Sequence, residues 1–397
     1  MHLWLMLQIS KSSRAQIAVA TLFVTNGMIF GNVLPRIPVF KDQLGLSEAE
    51  LGLALLCIAF GSISMFFFAA KIIRRYTSTF VSTLSAIFFL VAIVPIALSW
   101  NLYSFAFLLL FLGWANGLMD IAMNMQVIEV EKLRNQALMS KMHGLWSVGS
   151  LLGGLMCWGF SYFQVGLLPH FAIVSALSVA AVVMTRNWLV KTEPQLLPPT
   201  SKRGWVMPST YLLVLGVIGL CAAMAEAVSM EWSALFLRER LPDGSALSVM
   251  GFIAFTSMMV VGRFAGDGII KTYPTKPLLF VCASSVIAGY GFMLTMDTAW
   301  AAFVGYAFAG LGISIIAPLV YGIGARDTTR PPGVGLALVT AIGYGGFVMG
   351  APLIGFIAEA SSLRFALCSI VVLMVLLLIL TTQVRAQAPQ TSAANND

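Results

Sequence analysis

Long apolar runs, each about the length that crosses a lipid bilayer, recur along the chain and are separated by short polar connections. They fall at residues 15–35, 49–70, 78–99, 103–130, 141–163 and 168–187, then at 209–237, 247–270, 276–296, 299–322, 333–358 and 363–384. About 20 apolar helical residues cover about 30 Å of hydrocarbon. The pattern therefore predicts an all-α polytopic membrane protein with twelve transmembrane helices. Residues 188–208 hold Pro194, Pro198 and Pro199 with Lys191, Lys202 and Arg203. They read as a linker between an N-terminal six-helix half, 1–187, and a C-terminal six-helix half, 209–384. Residues 385–397 are polar and Ala-rich and read as a disordered cytoplasmic tail. Met1–Arg14 lacks a cleavage site and reads as a lead-in, not a signal peptide.

One run breaks the apolar pattern. Between Gly113 and Val127 the sequence is GWANGLMDIAMNMQV, in which Asn116, Asp120 and Asn124 recur at i, i+4 and i+8. On an α-helix these residues form one polar stripe. An ionisable group at membrane depth costs about 2.5–3.5 kcal/mol on insertion scales, so such a group faces a protein or water-filled interior. The stripe marks an inside, and Asp120 is its candidate for binding and releasing a proton.

Composition agrees with the pattern. Hydrophobic residues make up 59% and charged residues 10% of the 397, with mean hydropathy +0.91, against about 25% charged in a soluble domain. The net charge of +7 does not point to nucleic acid, because the basic residues sit in short connections where they set membrane orientation. With both termini cytoplasmic, only Arg36, Lys41, Arg238, Arg240 and Arg364 of the 23 Lys and Arg fall on the outer side. An odd number of spans would destroy that bias. The five cysteines all lie in apolar runs without a CxxC pair and read as buried thiols. No His, Cys and carboxylate set has metal-site spacing, and neither a GxSxG elbow nor a phosphate-cradling loop is found. The chain reads as no enzyme, with no cofactor beyond protons as a coupling ion.

Sliding the chain along itself by 197 residues superposes three separated stretches. Ile72, Ile73 and Tyr76 fall on Ile269, Ile270 and Tyr273; Gly113 falls on Gly310; Gly149 and Gly153 fall on Gly346 and Gly350. A common offset near half the length implies two parallel, pseudo-symmetric halves, a layout found in transporters. With the stretch Gly262, Arg263, Phe264, Ala265, Gly266, Asp267 and then Lys271, the chain resembles the major facilitator superfamily and its loop motif between the second and third helices of a half. The first-half copy departs from that motif, reading Ala69, Ala70, Lys71 and keeping only Arg74 and Arg75. A closer resemblance is to the fucose-permease-like branch and the bacterial YbjJ-type permeases. It is carried by MDIAMN at Met119–Asn124, HGLWSVG at His143–Gly149, RIP at Arg36–Pro38, and Glu226 with Glu231 and Trp232.

What the resemblance implies is a secondary active transporter of the bacterial inner membrane. It would move a small polar solute such as a monosaccharide by proton symport and alternating access, as a monomer in the lipid bilayer. The alternative is a proton-driven drug or metabolite exporter, although Gly149–Gly154 lacks the Gly-Pro of the antiporter motif. Fucose permeases have a first-helix aspartate; that region here offers Asn26 and Asn32.

Each candidate residue carries a functional and a structural reading. Asp120 and Glu226 are the two proton-coupling candidates; Glu226 has Ser229 and Ser233 on its face, and it either binds proton or substrate or pairs with a basic side chain. Asn26, Asn116 and Asn124 bond a solute or pack as amides. His143, with Trp146 a turn deeper, is a relay or substrate donor, or a capping histidine. Tyr344, among Gly343, Gly345 and Gly346, is a cavity hydrogen-bonder. Trp232 is an interfacial belt residue or a platform for a solute ring. Glu231 lies about 140° round the helix from Glu226 and is grouped with Arg36, Arg263 and Asp267 as gating candidates. Arg36 closes an outer gate, attracts an anionic substrate or only snorkels, and Asp267 accepts bonds from Arg263 or a nearby helix N-terminus in one state only.

Overall fold

The computed structural model describes residues 10–191, 209–328, 331 and 333–385, apart from the side chains of Ala70 and Asp267. The tail after Arg385, the lead-in before Ser10 and the linker from residue 192 to 208 lie outside the described residues. Every regular element among those residues is helical. The helices are α1 Lys11–Val33, α2 Glu48–Tyr76, α3 Ser78–Ile96, α4 Leu102–Arg134, α5 Met139–Tyr162 and α6 Leu167–Thr185. They continue with α7 Thr210–Arg238, α8 Met250–Thr272, α9 Thr275–Met296, α10 in two segments (Ala299–Ile313 and Ile316–Ala325), α11 Val334–Ala360 and α12 Leu363–Thr381.

Eleven of the described helices are long and apolar enough to cross a membrane. The twelfth expected span, α5, forms with 24 residues, about 36 Å at about 1.5 Å each. Its glycines, serines and His143 dilute its apolar content. Prolines mark the irregular points. Pro35 and Pro38 turn the end of α1 into a 3-10 turn, Leu34–Arg36, and a short helix, Ile37–Leu44, closed by Gly45 at φ 62°. Pro318 has no N–H for the Ser314 carbonyl and its ring crowds that carbonyl, and α10 breaks at Ser314–Ile315.

Glycines set the closest helix contacts, and they do so twice. A Cβ at Gly113 would strike the Ile58 carbonyl oxygen of α2, and one at Gly310 would strike the Phe255 carbonyl oxygen of α8. Ile58 and Phe255 are themselves related by the 197-residue shift. Likewise Gly149 of α5 sits on Val24 of α1, and Gly346 of α11 sits on Leu220 of α7. The weak sequence repeat is thus a repeat of backbone-on-backbone packing.

The chain forms two compact units. The first takes in residues 1–32, 57–153 and 164–200, the second 33–56, 154–163 and 201–397. In the first, Gln126 of α4 fastens the chain leaving α6: its Nε2 donates to Ser78 Oγ (2.8 Å) and the Val190 carbonyl (3.1 Å), and its Oε1 accepts from Val190 N (3.0 Å). Glu131 Oε1 accepts from Leu138 N and Met139 N, capping the start of α5. In the second unit α7 is enclosed on nearly all sides. Around its end at Arg238 the basic residues are tied down. Arg238 donates to the Pro38 carbonyl (2.9 Å) and pairs with Asp42, and Lys41 pairs with Glu48 at 3.0 Å. Arg240 pairs with Asp297 at 2.8 Å and stacks on Phe236, and Arg364 donates to the Leu294 carbonyl at 2.8 Å.

Candidate functional site

Each unit contains its own polar centre inside the spans. In the first unit the centre is a chain of amides and hydroxyls crossing three helix contacts. Trp146 Nε1 on α5 donates to Asn26 Oδ1 on α1 (2.8 Å), Asn26 Nδ2 donates to Asn116 Oδ1 on α4 (3.0 Å), and Asn116 Nδ2 donates to Ser62 Oγ on α2 (3.1 Å). Ser62 Oγ ends the chain on the Gly113 carbonyl at 3.0 Å. Asn26 is buried, at 2% exposure. Gly27 beside it lets α1 come up against the Trp146 backbone, which sets the register of this chain.

The expected stripe on α4 therefore divides. Asn116 is spent on helix packing, whereas Asn124 Nδ2 donates to the Asp120 carbonyl (2.8 Å) and to Asp120 Oδ1 (3.1 Å), within the same helix. Asp120 is half-buried, and no ion pair links it to a basic side chain among the described residues. His143 is exposed at the start of α5, edge-on to Phe23 at 5.4 Å. A second buried pair, His170 Nε2 to Asn32 Oδ1 at 2.7 Å, joins α6 to α1.

In the second unit the centre is an ion pair. Arg263 on α8 reaches Glu226 on α7 at 2.9 Å, with side-chain exposures of 19% and 11%. Tyr321, on the second segment of α10, is close enough for the Glu226 charge to act on it, and its hydroxyl would lie 2.8 Å from a Cβ at Gly343 of α11. One turn along α7, Ser229 Oγ donates to the Ala225 carbonyl and accepts from the Tyr290 hydroxyl of α9 at 2.7 Å. Tyr290 in turn meets Tyr306 edge-on.

Several expectations change here. Glu226 takes the structural alternative of pairing with a basic side chain, and the partner is Arg263. Trp232 is not an interfacial belt residue: its exposure is 0%, because neighbouring elements cover α7 on that side too. Arg36 does not snorkel, since at 8% exposure it is enclosed beside Cys157. Glu231, Trp232 and Ser233 each hold a buried polar atom without a hydrogen-bond partner among the described residues. Tyr344 is half-buried against Phe347, and the side chain of Asp267 lies outside the described residues. Sequence reading missed Ser62, Gln126, Tyr290 and Tyr321. Isolated hydroxyls and amides in apolar runs are common, and nothing in their spacing separates these from the rest.

Over residues 19–331 the sequence matches the Major Facilitator Superfamily. It is 29% identical over 381 residues to an uncharacterized MFS-type transporter of Yersinia pestis, covering 94% of this chain and 95% of that one. It is 30% identical over 359 residues to the membrane protein MosC of Rhizobium meliloti (89% and 86% covered) and 26% identical over 359 residues to an uncharacterized transporter of Sinorhizobium fredii (89% and 93% covered). Among solved structures it is similar to a mutant of the nucleoside transporter NupG, with TM-score 0.71 at 11% identity over 94% of this chain and 99% of that one. It is also similar to an inward-facing bacterial homolog of the human lysosomal transporter Spinster, with TM-score 0.68 at 14% identity over 94% and 96% of the two chains. At those identities the structural likeness is one of fold. The family match over most of the chain carries the assignment: this protein belongs to the Major Facilitator Superfamily, as a membrane-embedded secondary transporter and not an enzyme.

Proposed function

We propose that the protein is a proton-coupled symporter that brings a small polar solute, such as a monosaccharide, inward by alternating access, with Asp120 as a proton site. The observation that supports this reading is the contrast between the two central carboxylates. Glu226 has a guanidinium partner, whereas the bonds Asp120 makes come from Asn124 on its own helix. A carboxyl inside a span without a cationic partner can cross as a neutral acid and shed its proton once water reaches it. The likeness of Met119–Asn124 to the acid-x-Ala-x-Asn segment of sugar/proton symporters supports the same role.

The protein sits in the bacterial inner membrane with both termini cytoplasmic. This orientation follows from the bias of Lys and Arg, and the exceptions to the bias support it: Lys41, Arg238, Arg240 and Arg364 are each held by an acid, a carbonyl or both, so they are used structurally.

The test is Asp120→Asn in right-side-out vesicles, with a solute chosen by thermal shift of the purified protein against a panel of monosaccharides and organic acids. Accumulation driven by an inward proton gradient should be lost while solute counterflow is retained. Full gradient-driven accumulation in the variant would remove Asp120 from the coupling. Collapse of an acid interior on adding solute to inside-out vesicles would mark antiport instead.

A further inference from the structure

One face of α2 stays exposed to the end of the helix and changes along its length from aromatic to cationic. We propose that this face binds an anionic phospholipid, its phosphate on Lys71, Arg74 and Arg75 and its acyl chains along Phe67 and Phe68.

At about 3.6 residues per turn, Phe60, Phe67, Phe68, Lys71, Arg74 and Arg75 fall within about a third of the helix circumference. All six are exposed, Phe67 at 81% and Phe68 at 61%. Ile58, Ala69 and Ile73 on the opposite side are buried, and Ile73 packs with Val81 of α3 and Ala122 of α4. The exposed face is therefore the one turned away from the packing of its own unit. At about 1.5 Å per residue the three cations lie within about 6 Å along the axis, and the two phenylalanines about one turn before them. Rings followed by cations match the order of acyl chains and phosphate in one leaflet.

The turn into α3 continues the pattern. Arg75 lies over the Tyr76 ring at 5.3 Å, Tyr76 meets Phe80 of α3 at 5.9 Å, and both rings are exposed. Aromatic rings collect at the boundary between headgroups and chains. The Thr77 side chain accepts from Phe80 N and fixes the turn between them. Positive charge is in excess here on sequence alone. The chain holds no acid between Glu50 and Asp120, and residues 192–208 hold one, Glu193, with Lys202 and Arg203. On α4, Glu129 pairs with Lys132 and Glu131 accepts from the start of α5. Guanidinium groups suit phosphate because each offers it two parallel N–H donors. The repeat isolates the charge. Under the 197-residue shift Phe67 and Tyr76 fall on Phe264 and Tyr273, both exposed, and Arg74 falls on Lys271. Lys71 and Arg75 fall on Gly268 and Thr272, so the second unit keeps the rings with a single cation.

The test is native mass spectrometry of the purified full-length protein with phosphatidylglycerol and phosphatidylcholine of the same acyl chains. A cation near an anionic lipid surface is worth about fivefold in binding, so wild type should favour phosphatidylglycerol by about tenfold or more. Each of Lys71→Gln, Arg74→Gln and Arg75→Gln should lower that preference, and the triple variant should abolish it. Lys271→Gln, at the equivalent place in the second unit, should leave it unchanged. Glycerol 3-phosphate at the same concentration should not displace the lipid. Equal binding of the two lipids by wild type overturns the proposal without any variant having to fold. A preference that survives in the folded triple variant, or that Lys271→Gln lowers as much, overturns it as well. Displacement by glycerol 3-phosphate would mark a site for a soluble phosphate and overturn the lipid assignment.

Discussion

Asn26 accepts a hydrogen bond from Trp146 at one end of its amide and donates at the other to Asn116 Oδ1 and Met119 Sδ. Interhelical bonds in membranes average about 0.6 kcal/mol, so Asn26→Ala should lower the stability of the purified protein by about 1 kcal/mol in thermal unfolding. Asn124→Ala, which removes bonds confined to α4, should cost less. Equal losses would mean that the chain of amides does not hold α1, α4 and α5 together. The polar stripe was legible in sequence because one helix carries it and spacing alone puts its residues on one face. Its division was not, because the partner that claims Asn116 lies 90 residues away on another helix. The same holds for Arg263. Its salt bridge runs to Glu226, 37 residues earlier and on another helix. Trp232 misled for a different reason: position near a helix end predicts an interfacial indole only when that face of the helix meets lipid.

At the level of elements, helix boundaries followed closely from the apolar runs, since span length is imposed by the bilayer and not by the packing of neighbours. The α10 break comes from Pro318, one residue inside an otherwise continuous apolar run. The tight contacts were half visible, because the sequence shows which glycines repeat but not what they touch. At Gly346 a Cβ would run into the Leu220 carbonyl oxygen and would stand 2.6 Å from the Met224 amide nitrogen, both backbone atoms that cannot swing aside. Gly346→Ala should therefore force α11 off α7 and destabilise by about 1–3 kcal/mol. Gly159 of α5 meets nothing within 4 Å, and Gly159→Ala should be neutral or slightly stabilising. Thermal unfolding of the two variants side by side checks the pair. A similar loss in both would show that helix propensity, not close approach, governs these positions.

Across the whole molecule, duplication preserved packing and let polar chemistry diverge. Gly113 and Gly310 lie against equivalent carbonyls, yet at the same shift Asp120 corresponds to Ala317, beside Pro318. The first copy of this helix is an uninterrupted rod of 33 residues; the second is jointed, 15 residues followed by 10. Mechanically, the two copies are beams of different stiffness. Bending an intact helix strains many hydrogen bonds together, whereas a joint lacking one of them turns on a few backbone torsions. Any cycle that flexes this pair of helices concentrates its deformation at Ser314–Ile315. Pro318→Ala would restore the missing donor and stiffen the joint, and hydrogen–deuterium exchange over residues 314–319 should slow; unchanged exchange would place the compliance elsewhere. The second copy, which lacks the acid, supplies the hinge, and the first, which carries it, holds that group on a rigid mount.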